Sequence, residues 1–314
     1  MKYLVKKLTT LIITLLLISF LSFAAFSVIP GDAALSRLGE NATEEQIATL
    51  KEEMGLNDPL LVRYGRWLTD ALHGDFGESY QYENNSVSDL IAARLPVTVL
   101  LAGIAFVIIV VCALPLGILC ARFSGGWLDT LLNQLTQIVM AVPSFFLGII
   151  LTYIFGLILK MFQPGNFISP LEDFGGAVKY LIFPAIAVAL PKIAMVIKFL
   201  RNSVIAELNK DYVRTARSKG NTDNMLLYGH VLKNAMIPVI TYFAMVVTDI
   251  LAGSIVVEQV FSVQGMGRLL ISSISTRDYP VVQAVVLYVT AVVVIINFIV
   301  DILYQFIDPR VRKE

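Results

Sequence analysis

Polar side chains inside long apolar stretches are the residues of this sequence best suited to bind a solute. Asp249 is the acidic residue deepest in such a stretch, and Gln137, Ser144 and Thr248 are uncharged polar residues in similar surroundings. An ionisable group within lipid is costly and usually faces a bundle interior or a path for a solute. The four residues are therefore candidates to line such a path. The alternative is that they join one helix to another, which is common in bundles.

Other polar residues of these stretches extend the same set. They are Gln134, Lys192, Ser254, Asn297 and Asp301. Lys192 and Asp301 are expected to reach toward an interface, because a long or terminal charged side chain can extend out of the hydrocarbon.

A basic segment between two apolar stretches offers a second kind of chemistry, the docking of another protein. It reads Asp211-Tyr-Val-Arg-Thr-Ala-Arg-Ser-Lys-Gly220. Residues 203–219 favour a helix, in which Arg214 and Arg217 place positive charge near the negative carboxyl end of the helix dipole. Gly220 predicts the left-handed residue that ends this helix.

A second helix is predicted to follow Gly220. Thr222 is a suitable cap, and Leu227, Val231 and Ala235 form an apolar stripe at helical spacing. The two helices would form a hairpin outside the membrane. The alternative is an ordinary positively charged loop between two membrane spans, and the residues by themselves name no partner.

The elements that must position these residues are membrane helices. Of the 314 residues, 57% are hydrophobic and 15% charged, and the mean hydropathy is +0.75, which is outside the range of a soluble domain. Six apolar stretches are long enough to cross about 30 Å of hydrocarbon: residues 8–29, 97–121, 132–159, 180–200, 237–257 and 282–307. The predicted fold is an all-α polytopic membrane protein with about six transmembrane helices.

Charge predicts the orientation, although 24 basic and 24 acidic residues give a formal net charge of zero. Basic residues crowd the N terminus, residues 201–236 and the last residues, which the positive-inside rule places in the cytoplasm. Acidic residues crowd residues 31–95, which are predicted to be extracytoplasmic. A secretory signal is the alternative for the first stretch, but its apolar run is longer than a signal core, and its removal would leave an odd number of spans.

The acidic outer segment is predicted to fold into a small helical cap. Thr43-Glu-Glu-Gln46 fits a capping box, and Gly55 is a natural stop for the helix that it begins. A second helix is predicted from Asp58-Pro59, with a stripe of Leu61, Tyr64, Leu68 and Leu72. The predicted organisation is residues 1–30 (N terminus and first span), 31–95 (cap), 96–307 (membrane core with the loop 201–236) and 308–314 (tail).

Several kinds of site find little support. Cys112 and Cys120 lie in one apolar stretch, and His73 and His230 are too few and too separated to form a metal site or a histidine-based catalytic centre. No nucleophile, base and stabiliser cluster is apparent, so catalytic residues are predicted to be none. The sequence has no Gly-x-x-x-x-Gly-Lys-Ser/Thr loop for nucleotide phosphates. Energy for transport would come from another chain or from an ion gradient, and no nucleic-acid partner is predicted.

The basic segment resembles the EAA loop of permease subunits of ATP-binding-cassette importers. Arg214-Thr215-Ala216 stands in place of the Glu-Ala-Ala triplet, Gly220 follows after three residues, and Ile237-Pro238 comes later. Two triplet residues depart from the general pattern but match the form of the dipeptide, oligopeptide and nickel branch. Further matching stretches run along the chain: Pro30-Gly-Asp32, Arg63-Tyr-x-x-Trp-Leu68, Gly74-Asp-Phe-Gly-x-Ser79, Arg94-Leu-Pro96, Ala141-Val-Pro-Ser-Phe-Phe146, Glu258-x-Val-Phe261, Gly265-x-Gly-Arg-Leu-Leu270 and Asp308-Pro-Arg-Val-Arg312.

The resemblance implies the first of two permease subunits, similar to the B component of dipeptide importers, with a type I importer fold and a cytoplasmic EAA-type hairpin. Its partners would be a second homologous permease, two cytoplasmic ATPases, an extracytoplasmic binding protein and membrane lipid. ATP and Mg would bind to the ATPases, with no cofactor in this chain. The residues implied to couple to an ATPase are Asp211, Arg214, Thr215, Ala216, Arg217 and Gly220. The location would be the bacterial cytoplasmic membrane.

Substrate and energy source have alternatives. Peptides are the first expectation and nickel or a metal chelate the second, because the same permease pattern serves both. A secondary transporter driven by protons or sodium, with Asp249 or Asp301 as the ion site, is a more distant reading, and an integral membrane enzyme is a third.

Overall fold

A computed structural model of the chain describes residues 2–28, 42–53, 55–82 and 85–307. In these residues regular structure is helical, which confirms the all-α class. Its helices are α1 (Lys2–Val28), α2 (Glu44–Glu53), α3 (Leu60–Leu72), α4 (Val87–Arg122), α5 (Trp127–Ala141), α6 (Ser144–Leu151), α7 (Phe174–Leu208), α8 (Asp211–Ser218), α9 (Asp223–Val260), α10 (Met266–Ser275) and α11 (Tyr279–Ile307). Wider π-helical turns, Thr152–Ile158 and Leu226–Val231, follow α6 and lie within α9.

Five of the described helices, α1, α4, α7, α9 and α11, are long and apolar enough to cross a membrane. The stretch 132–159, predicted as one span, is instead broken into α5 and α6, which are bent by 96°. Pro143 causes the break, since proline offers no amide proton and forces Val142 into extended backbone, with a ψ of 123°. The count of about six spans holds if this bent pair is one of them.

The chain divides into two compact units, and the first comprises Met1–Val97 and Gln264–Ile295. Its capping box is confirmed, because the Gln46 amide donates to Thr43 Oγ1 at 3.3 Å and the Thr43 amide to Gln46 Oε1 at 3.0 Å. Gly55 has a φ of +62°, as a helix stop requires. The predicted stripe of α3 holds only in part, since Tyr64 and Leu68 are half-buried but Leu61 and Leu72 are exposed.

Aromatic residues instead fix α3 to α1. The Tyr64 ring lies 5.7 Å from the Phe23 ring, Trp67 lies 5.5 Å from Phe23, and the Tyr64 and Ser19 hydroxyls are 2.7 Å apart. Rings of this size bury more apolar surface than leucine and keep a polar tip for a hydrogen bond. The aromatic residues Tyr64 and Trp67, and not Leu61 and Leu72, therefore hold α3 against α1.

The second unit comprises Thr98–Val263 and Ile296–Glu314. Its centre is α7, which carries many of the fully buried apolar residues and lies against α5, α6 and α9. Close approach of α6 depends on Gly148, since a Cβ there would lie 3.1 Å from the Phe261 ring. This packed group of helices positions the residues considered below.

Candidate functional site

The basic hairpin, residues 211–231, has the turn that the sequence predicts. Gly220 has a φ of +86° between α8 and α9, and the Met225 amide donates to the Thr222 hydroxyl at 3.4 Å, which confirms the cap. Asn221 Nδ2 donates to the Ala216 carbonyl at 3.0 Å, so one of the open carbonyls at the end of α8 is satisfied. The hairpin is thus closed by local hydrogen bonds.

The predicted single helix over residues 203–219 is wrong, because α7 ends at Leu208 and α8 begins at Asp211. Lys210 between them has extended backbone, with a ψ of 153°. Asn209 Nδ2 donates to the Ile205 carbonyl at 3.1 Å, so it satisfies the end of α7 and lets the chain turn. The break makes α8 a separate short element that can lie at an angle to the span.

Apolar contacts hold the hairpin against the rest of the second unit. Val213 of α8 is buried, and so are Leu227, Val231 and Ala235, which confirms the predicted stripe. Leu226 is buried as well, although the stripe does not include it. The π-helical turn of Leu226–Val231 accounts for this difference, because its wider turn changes the angle between successive side chains from that of the α-helix for which the stripe was predicted.

The outward surface of the hairpin is charged and partly apolar. Arg214 is 3.7 Å from the Asp211 carboxylate, and Arg217 is 3.0 Å from that of Asp223. Thr215 is exposed, and its hydroxyl donates a hydrogen bond to the Asp211 carbonyl one turn earlier in α8. Ala216 is half-buried. Exposed ion pairs of this kind contribute little to stability, so these charges remain available to a partner. Apolar area is also exposed beside them, on Met225 and Tyr228.

A polar network that sequence reasoning missed joins the hairpin to both long helices. The Tyr212 hydroxyl donates to Glu207 Oε1 at 2.8 Å, and Asn234 Nδ2 donates to the same hydroxyl at 3.1 Å. Lys210 Nζ lies 2.5 Å from Glu207 Oε2. Burial raises the pKa of Tyr212, which keeps its hydroxyl protonated as a donor. Because Glu207 belongs to α7 and Asn234 to α9, the network fixes α8 to two elements at once.

A buried ion pair, also missed, anchors the end of α7 near the hairpin. Arg201 donates to both carboxylate oxygens of Asp129, at 2.6 and 2.7 Å. The carboxylate also accepts from the Gly125 amide and from Asn133 Nδ2. Its side chain is only 4% exposed. These three partners could not be inferred from the sequence, in which Asp129 is only an acidic residue at the start of an apolar helix.

The candidate path residues are brought together only in part. Asp249 forms an ion pair with Lys192 at 2.8 Å, although Lys192 was expected to reach toward an interface. Ser144 is half-buried, and a Cβ placed on Gly253 would lie 3.9 Å from its hydroxyl. The Thr248 hydroxyl oxygen is buried and has no hydrogen-bond partner among the described residues. Gln137 is exposed on α5, and the side chain of Asp301 lies outside the described residues.

Helices α7 and α9 are antiparallel and keep a single register along their length. The contacting residues of α7 are Tyr180, Val188, Lys192, Phe199 and Glu207. From each of these to the next, the partner moves back by the same number of positions, starting at the residue that directly follows α9 and continuing along α9. The corresponding partners are Phe261, Gly253, Asp249, Tyr242 and, through Tyr212, Asn234. The Phe199 and Tyr242 rings are stacked with centroids 4.3 Å apart. The pair therefore behaves as one packed unit from the ion pair to the hairpin.

Comparison with known proteins gives two matching family models. Residues 113–313 match the model described as binding-protein-dependent transport system inner membrane component, and residues 1–102 match the model of the N-terminal part of such membrane components. Among related proteins, a putative peptide transport system permease protein of Brucella abortus is 36% identical over 309 residues, 98% of each chain.

Two further relatives are similar over nearly their whole length. The oligopeptide transport system permease protein AppB of Bacillus subtilis is 35% identical over 312 residues, and a probable peptide ABC transporter permease protein of Sinorhizobium fredii is 34% identical over 310 residues. In both cases the match covers 99% of each chain.

Proposed function

This chain belongs to the family of binding-protein-dependent transport system inner membrane components, and on that premise we propose that it forms half of the translocation pathway of an ATP-driven peptide importer. The proposal depends on how the basic hairpin is attached to the membrane helices. Its outward face is exposed and charged, while its inward face is fixed to both α7 and α9. A protein bound to the hairpin would therefore move two membrane helices together.

The proposed mechanism is a lever. Closure of two ATPase subunits around ATP would shift α8, and Val213 and Tyr212 would pass that shift to the ends of α7 and α9. Packed helices move as rigid bodies between discrete arrangements, because dense cores do not deform continuously. The constant register of α7 and α9 would carry the motion as far as Lys192 and Asp249. In this way ATP use outside the membrane would open and close the pathway.

The proposed partners follow from the division of labour within such importers. This chain has no phosphate-binding loop, so ATP and Mg would bind to two cytoplasmic ATPase subunits. A second homologous permease would complete the pathway within the lipid bilayer, and an extracytoplasmic binding protein would deliver the solute. This chain is proposed to be non-catalytic and to lie in the bacterial cytoplasmic membrane with both termini in the cytoplasm.

Dipeptides and oligopeptides are the proposed substrates. Relatives from three genera are named as permeases for peptides or oligopeptides, which favours these substrates over nickel or a metal chelate. A carrier driven by protons or sodium would need a carboxylate free to bind the ion. Asp249 is paired with Lys192 in this structure, so an ion would have to displace the lysine ammonium before it could bind there.

Uptake by reconstituted vesicles tests the proposal. The chain would be purified with its cognate second permease, ATPases and binding protein, and placed in proteoliposomes with a labelled dipeptide outside. We expect uptake that requires both binding protein and MgATP. Uptake driven by an imposed proton or sodium gradient without ATP would reject the proposal.

A further inference from the structure

The ion pair between α7 and α9 points to a role in recognising the solute itself. We propose that Lys192 and Asp249 bind the two charged ends of a peptide as it crosses, with Lys192 taking the terminal carboxylate and Asp249 the terminal ammonium. This inference rests on the proposed function of peptide import. It adds Lys192 to the pathway and gives the chemical class of its ligand, a short peptide with free termini.

The position of the pair favours this role. Lys192 lies near the middle of α7, and Asp249 lies near the middle of the apolar stretch 237–257 within α9. A peptide with free termini carries one positive and one negative charge at neutral pH, and moving unpaired charges into a medium of low dielectric constant is very costly. The cost is greatest midway across the membrane. A pathway for such peptides therefore needs one charge of each sign at that depth.

The construction of the pair differs from that of a structural ion pair in the same unit. Asp129 is 4% exposed and receives both arms of Arg201, a backbone amide and an asparagine amide. Asp249 is 49% exposed and has Lys192 as its only hydrogen-bond partner among the described residues. A carboxylate held by a single contact can exchange that contact for another cation. The several contacts of Asp129 keep it paired with Arg201, whereas Asp249 can exchange Lys192 for another cation.

The side chain of Lys192 allows the exchange. A lysine ammonium sits on a flexible four-carbon stem and is not held in a fixed two-pronged geometry as arginine is. The ends of an extended dipeptide are about 7 Å apart, so Lys192 would swing away from Asp249 by a few ångströms to admit one. One ion pair would then be replaced by two, and no charge would be left unpaired. Longer peptides would engage the two residues in succession.

The surroundings of the pair supply an apolar boundary on one side. The stacked rings of Phe199 and Tyr242 lie seven residues away on both helices, about 10 Å toward the hairpin. Met245, one turn from Asp249 on the same helix, is 61% exposed. It therefore offers a position at which occupation of the site can be detected without measuring transport.

Protection of a cysteine tests binding directly. The assembled complex carrying Met245→Cys would be placed in nanodiscs and labelled with a maleimide in the presence of millimolar dialanine. We expect dialanine to slow labelling at least threefold and N-acetyl-dialanine amide, which lacks both charges, to have no effect. Adding Lys192→Met should abolish the protection by dialanine. Equal labelling with and without dialanine, or equal protection by the blocked peptide, would overturn the inference.

A double substitution separates recognition from a structural tie. Replacing an ion pair by apolar residues of similar size is often neutral for stability, so Lys192→Met with Asp249→Leu should assemble to the parent level. Dialanine uptake should fall at least tenfold. Uptake equal to the parent, or failure to assemble, would overturn the inference. A parent complex that takes up peptide without using ATP would instead overturn the proposed function.

Discussion

Gly220 provides the sharpest test of the lever, because a substitution there changes the angle of the hairpin without disturbing the membrane helices. Its φ is +86°, and nothing lies within 4 Å of an added Cβ. The Cβ of a valine would therefore meet no steric clash, and the main expected cost of the substitution is backbone strain. That strain is about 1 to 2 kcal/mol, which lowers the population of the left-handed turn roughly 5- to 30-fold.

The expected phenotype of Gly220→Val is a complex that assembles but does not couple. Val213, Leu226 and Leu227 should still hold the hairpin to the rest of the second unit, because these buried residues lie outside the turn. Uptake and binding-protein-stimulated ATP hydrolysis should fall at least fivefold, whereas the amount of complex in the membrane should stay at the parent level. Both quantities would be measured in the same proteoliposome preparation.

Two control variants separate backbone strain from bulk and from general damage. Gly220→Asn fills the same open space, but asparagine tolerates the left-handed region, so it should retain most of the coupling. Gly165→Val meets the same kind of strain, with a φ of +91° and nothing within 4 Å, but lies far along the chain from the hairpin and should transport normally. Parental transport by Gly220→Val, or equal losses in Gly220→Asn, would refute the reasoning.

The remaining predictions concern the charges, the anchors and the orientation. Arg214→Glu should weaken co-purification of the ATPase, and the loss should shrink as salt is raised, since exposed charges are screened; a loss independent of salt would argue against an electrostatic contact. Tyr212→Phe removes a hydrogen bond to Glu207 worth about 1 kcal/mol and should lower peptide imported per ATP hydrolysed, whereas an unchanged ratio would deny the network a role in coupling. Asp129→Asn breaks a buried ion pair and should destabilise the protein by about 3 kcal/mol, seen as a lower unfolding temperature in detergent; an unchanged temperature would contradict this. Single cysteines at Asn57 and Ser218 should label from opposite sides of intact membranes, and labelling from the same side would reject the orientation.

Local features of the sequence determined the helices and their ends. The apolar stretches, the capping box at Thr43 and the stop at Gly220 depend on residues only a few positions apart, so they could be read without the fold. The break at Pro143 is also a local signal. It was missed because the apolar residues on both sides of it continue as one stretch.

Tertiary structure alone decided which polar groups meet. Lys192 and Asp249 are 57 residues apart in sequence, and Glu207 meets Asn234 only because Tyr212 lies between two helices in a particular register. A shift of one residue along α9 would turn its side chains by about 100° around the helix axis and separate every one of these contacts. That register depends on the packing of many small contacts along both helices, such as the close approach at Gly253. Sequence therefore specified the helices and the residues able to do chemistry, and only packing selected their partners.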